Sequence, residues 1–167
     1  MSILNIYKIL SFILLPIAAL LGIICLMSLL VALGNPSILL PLSMLICTVI
    51  YVISSFIFLQ KGLIKGIKCD PALKDWIKVN SYVSLFFASM SVMQFITLMF
   101  QPIMLQQFTS QAMAMQKGMS PEAMAMMPKI IKSVMYFILT FGLILLAHIA
   151  LSLSFLKQHG SLFDEEK

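Results

Sequence analysis

The chain has 167 residues, 61% of them apolar and only 10% charged, with a net charge of +5 and a mean hydropathy of +1.06. A soluble domain of this length carries about a quarter charged residues and hides roughly 70% of its surface on folding, so this much apolar material excludes a water-soluble fold. Charges are missing from residues 9–60, 79–116 and 133–156, and those gaps are the mark of an integral membrane protein.

In chain order, residues 9–33 form the first stretch long enough to cross, since about 20 helical residues span the hydrocarbon layer. Ala32-Leu33-Gly34 has the small-x-small form of a signal cleavage site. The apolar run before it is far longer than a signal core, however, so an uncleaved anchor is expected. Gly34-Asn35-Pro36-Ser37 reads as a tight turn, with Pro36 ending one helix and Ser37 capping the next. Residues 37–59 form the second span, and the first hairpin covers 6–62. A basic loop follows at 60–79 with five lysines and two aspartates. In it Asp70-Pro71 starts a short helix and Trp76 sits at headgroup level. Lysines beside a membrane attract anionic lipid at about 1 kcal/mol each.

The second hairpin covers 76–160, with spans at 81–104 and 133–156 and a long outside loop at 105–132. Ser120-Pro121-Glu122 is a helix start of cap, first-position proline and first-turn acid. The loop is therefore expected to hold two short helices, 103–116 and 121–127, lying at the membrane surface or docking a partner. The tail 161–167, with Asp164, Glu165 and Glu166, reads as a solvated end.

A backbone in lipid must satisfy its own hydrogen bonds, so every span is helical. The expected fold is a single all-α membrane domain of four transmembrane helices in two tandem hairpins. The hairpins read as duplicates. IYKILSFILL at 6–15 aligns with WIKVNSYVSL at 76–85, matching Lys8 with Lys78, Ser11 with Ser81 and Leu15 with Leu85, and the hairpins end alike in FLQKG and FLKQHG. Orientation follows from the lysines. With a cytoplasmic N-terminus the inside holds eight and the outside three (Lys117, Lys129 and Lys132), which satisfies the positive-inside rule. Both termini are expected in the cytoplasm, and the membrane is an inner or plasma membrane.

Three sets of residues invite a functional reading. On the third span Asn80, Ser81, Ser84, Ala88, Ser91, Gln94 and Gln101 fall within one arc at 100° per residue, a face suited to helix contact in lipid. The first span offers Ala18, Gly22, Cys25 and Ser28, and the second Thr48, Tyr51 and Ser55. His148, with Phe141, Leu145 and Ser152 on its side of the fourth span, is the lone histidine, lysine or carboxylate inside any span. No second such group is there to complete a relay or a metal site, so a neutral ring bonded to a serine or carbonyl of a neighbouring helix is expected. Seven of the fourteen methionines lie between 104 and 127. Met113, Met115, Met124, Met126 and Met127 are soft thioether donors of the kind that select Cu(I) or Ag(I), though methionine is also an adaptable apolar filler.

Nothing reads as CxxC, a phosphate loop, a dinucleotide fingerprint, a nucleophile elbow or HExxH, and all six acids lie outside the spans. The expectation is a non-catalytic accessory or assembly subunit, or a homo-oligomeric scaffold, with no cofactor and no nucleic-acid partner. Its partners are the lipid bilayer and other membrane subunits or itself. The alternative is a small transporter or channel, with soft metal ions or a small neutral solute as cargo.

Overall fold

The computed structural model describes residues 2–32, 34–114 and 121–163. Among them are five α-helices and no strand: α1 (Ile3–Ala32), α2 (Leu39–Phe58), α3 (Pro71–Phe100), α4 (Pro102–Ala114) and α5 (Pro121–Gln158). Four stretches are long and apolar enough to cross a membrane, at Ile3–Leu30, Pro36–Ile64, Pro71–Phe100 and Met124–Gln158.

The connections follow from local chemistry. Between α1 and α2, Asn35 is extended (φ −144°), and its side-chain oxygen accepts from Ser37 N at 3.3 Å and Ser37 Oγ at 2.6 Å. The cap is therefore Asn35 rather than Ser37. Asparagine precedes Pro36, which holds it out of the helical region and aims its amide at the first turn, here a 3₁₀ turn at Pro36–Ile38. After α2 the chain widens into a π-helical turn at Leu59–Ile64. Gly66 then takes a φ of +66°, open to glycine at no steric cost, and turns the chain out of the helix.

Asp70 caps α3, with Oδ1 accepting from Ala72 N at 2.8 Å. The helix it starts is not short, because nothing between Pro71 and Phe100 interrupts it. It breaks instead at Gln101, since Pro102 has no N–H to continue the ladder. Helix α4 occupies most of the loop segment 103–116. The segment 121–127 is not a separate helix: it is the first part of the 38-residue α5, which continues through Pro128. A proline costs one hydrogen bond there, and the apolar surface on both sides keeps the helix whole.

The chain forms two compact units, one of Met1–Phe87 with Leu145–Lys167 and one of Ala88–Ile144. In the first, Tyr7, Leu14, Tyr51, Phe58, Leu59, Ile77, Leu145 and Ile149 are buried. Cys25, Ala32 and Leu42 close the turn end of the α1–α2 hairpin with Ile38, Leu45 and Ile46. At its other end a 3₁₀ turn at Gly160–Phe163 sets Phe163 against Phe58, with ring centroids 5.3 Å apart, and Leu162 O accepts from Cys69 N at 2.8 Å. In the second unit Ala88, Val92, Met127 and Met135 are buried. There α3 and α5 approach at Gly142, where a Cβ would lie 2.8 Å from Val92 Cγ2.

Candidate functional site

The buried side chains of α1 recur as Tyr7, Ser11, Leu14 and Ala18, then Cys25 and Ala32. These steps of four and three keep one stripe on a neighbour. In α2 the corresponding stripe contains Tyr51, Ser55 and Phe58, and in α5 it contains Leu145, His148, Ser152 and Phe155. The polar members of the three stripes meet inside the first unit.

His148 is fully buried at the centre of this cluster. Its Nε2 lies 2.9 Å from Ser11 Oγ and its Nδ1 lies 2.7 Å from the Tyr51 hydroxyl. Ser11 has one proton, which it donates to the Tyr7 carbonyl at 2.8 Å. Its oxygen can then only accept, so Nε2 carries the ring proton and Nδ1 accepts from Tyr51. The Tyr7 ring stacks on the imidazole with centroids 4.8 Å apart and planes at 21°, while Tyr51 meets it edge-on at 5.6 Å. The Tyr7 hydroxyl shares its proton between Ser152 Oγ at 3.2 Å and the Ser55 carbonyl at 3.4 Å. Helices α1, α2 and α5 are thus joined by hydrogen bonds through His148 and Tyr7. Among the described residues no buried side-chain nitrogen or oxygen lacks a partner.

This arrangement limits the chemistry available to His148. One imidazole nitrogen is protonated and the lone pair of the other is occupied, so the ring offers no free ligand atom for a metal or haem. The chain Tyr51–His148–Ser11 ends on a peptide carbonyl, which accepts a proton in a hydrogen bond but has none to pass on.

The α3 face separates into two parts. Ser84 is buried and donates to the Asn80 carbonyl at 2.7 Å, and Ala88 is buried. Ser91 is half-buried, whereas Gln94 and Gln101 are exposed. Among the methionines, Met113 is half-buried, Met124 and Met126 are exposed, Met127 is buried, and Met115 lies outside the described residues. At 100° per residue Met126 and Met127 point apart, and 58% against 7% exposure puts the first outside and the second in the core.

No family model, no curated protein and no solved structure matches this chain.

Tyr7 and Ser11 are the members of the cluster that do not stand out in the sequence. Their signal is the 7–11–14–18 spacing. It is hidden because α1 is apolar on all sides, so hydropathy has no period to display. A second group worth noting is Cys69, outside the spans. Burial pushes its thiol up from the ordinary value, and the positive charge of Lys61 pulls it partly back.

Proposed function

We propose that this chain is a non-catalytic multi-pass membrane protein, an accessory or scaffold subunit that receives a second membrane helix along the Gln94 face of α3. That helix comes from a partner subunit or from another copy of the chain. The observation that carries the reading is Gln94 itself. It lies near the middle of the apolar run 81–104, is exposed, and its amide forms no hydrogen bond among the described residues. An amide left without partners away from water costs about 1–3 kcal/mol by protein substitution data, part of which a polar group on a docked helix recovers. The closed state of the His148 cluster supports the same reading, since its groups are engaged in holding helices together.

The reading includes a plasma or inner membrane with both termini in the cytoplasm, supported by the eight-to-three lysine distribution. It also includes a tandem origin of the hairpins, supported by Ser11 and Ser81, which align in the two segments and are both buried.

Purification from native membranes in a mild detergent, with mass spectrometry of what stays bound, tests the proposal. A stoichiometric membrane protein or a defined homo-oligomer is the expected result. Gln94→Leu should leave the thermal midpoint of the isolated chain unchanged and weaken the assembly about fivefold, the equivalent of one interhelical bond of about 1 kcal/mol. An assembly unaffected by Gln94→Leu would remove this face from the proposal, and a monomer alone would remove the proposal.

A further inference from the structure

Along one side of the first unit, α3 and α5 enclose an open groove of about 410 Å³ lined by Lys74, Lys78, Tyr82, Leu153, Leu156, Lys157 and Gly160. We propose that this groove binds the headgroup and upper acyl chain of an anionic phospholipid. The proposal goes beyond the accessory role and rests only on the chain being embedded in a bilayer.

Helical spacing explains the composition of the groove. Lys74, Lys78 and Tyr82 follow at steps of four on α3, and Leu153, Leu156 and Lys157 share a face of α5. Lys78 precedes the apolar run 81–104 and Lys157 follows the run 133–156. Because they line one groove, both mark the same membrane boundary, whichever side of the bilayer that is. Beyond the ammonium groups lie Tyr82, 62% exposed and of the residue type that favours the interface, and the apolar Leu153 and Leu156. A phosphate with two fatty chains presents the complementary sequence of charge, polar neck and hydrocarbon.

Charge distinguishes this groove from the other basic cavity of the unit. That second cavity, of about 320 Å³, brings Lys61 and Lys68 together with the carboxylate of Asp70. The described carboxylates are Asp70, Asp75 and Glu122, and none lines the α3–α5 groove. Asp75 follows Lys74 but faces a different hollow, with Trp76, Val79 and Asn80. Lys74 is held in place, its Nζ 5.7 Å from the centre of the Phe163 ring. Three cations with no acid among the described residues of the lining, above an apolar floor, fit an interhelical site for an acidic lipid headgroup.

The test titrates full-length protein in neutral detergent with phosphatidylglycerol or phosphatidylcholine of the same chains, read by native mass spectrometry. Preferential retention of phosphatidylglycerol is expected. Lys78→Gln with Lys157→Gln should lower that retention about thirtyfold, at about fivefold per lysine, and leave phosphatidylcholine unaffected. Lys129→Gln with Lys132→Gln removes the same charge from the other unit and should change nothing. If the double variant of the groove loses its thermal transition, Lys74→Gln alone should still show the fivefold loss. Equal losses from both lysine pairs would reduce the effect to general surface charge and overturn the site. Displacement of the lipid by inorganic phosphate would make it a simple anion site and overturn the lipid assignment.

Discussion

The two units of this protein handle polar side chains in opposite ways. In the unit of Met1–Phe87 and Leu145–Lys167, the side chains of Tyr7, Ser11, Tyr51, His148 and Ser152 are buried and joined by hydrogen bonds, and the buried Ser55 donates to the Val52 carbonyl and offers its own carbonyl to Tyr7. In the unit of Ala88–Ile144 the buried side chains named above are apolar (Ala88, Val92, Met127 and Met135), while Gln94, Gln101, Gln106, Gln107 and Gln111 are exposed. Burying a polar group in a medium without water is acceptable only when its partner is built in. The first unit meets that condition internally, so its helices are held at one register. The second is held by close approach at a glycine and leaves its amides outward, where another chain can reach them.

The largest effect should come from the centre of the first unit. His148→Ala removes a packed ring and strips Tyr51 and Ser11 of their partner, and should cost about 3 kcal/mol, read by thermal unfolding in mild detergent. Ser11→Ala, which leaves only the Nε2–H without an acceptor, should cost about 1 kcal/mol. Equal, negligible losses for both would mean that the cluster holds nothing together, and the contrast between the units would disappear. In the second unit Gly142→Ala should cost about 1–2 kcal/mol, because the new methyl meets the β-branched and therefore stiff Val92. A neutral or stabilising Gly142→Ala would show that α3 and α5 are not packed closely there.

The smallest effect concerns the edge of the first unit. With Cys25 and Cys47 replaced by alanine, maleimide labelling of Cys69 should be slower near neutrality than that of an exposed thiol. It should also still be accelerating at a pH where a free thiol, at about 8.5, has levelled off. The raised pKa keeps the proton on sulfur, and Lys61→Gln, by removing the charge that lowers it, should slow labelling further. Labelling with an ordinary thiol profile would show that Cys69 is not buried at this edge.

Much of the architecture was readable from composition. Four apolar runs separated by lysines give the number and order of the long helices, but not all their bounds: the runs 81–104 and 133–156 lie within helices that start at Pro71 and Pro121, and the run 81–104 continues past the break at Gln101. A capped start at Pro121 says that a helix begins, not where it ends, and Pro128 proved too weak a breaker to separate 121–127 from α5. His148, Tyr51, Ser55 and Ser152 were visible as polar positions in apolar surroundings. Tyr7 was not, because it stands beside Lys8 at the head of α1 and reads as an interfacial residue.

By itself the sequence determined that the chain is helical and apolar enough to cross a bilayer four times. Those properties depend on the backbone's need for internal hydrogen bonds and on local hydropathy, which neighbouring residues supply. Only the tertiary structure decided that Tyr7, Ser11, Tyr51 and His148, up to 141 residues apart, form one bonded cluster. It also decided that Lys78 and Lys157 share a groove and that Gln94 faces outward while Ser84 does not. In helices that are apolar on every side, hydropathy carries no information about which face is buried. That choice is made by side-chain shape and hydrogen-bond geometry between helices, and it exists only once they are packed.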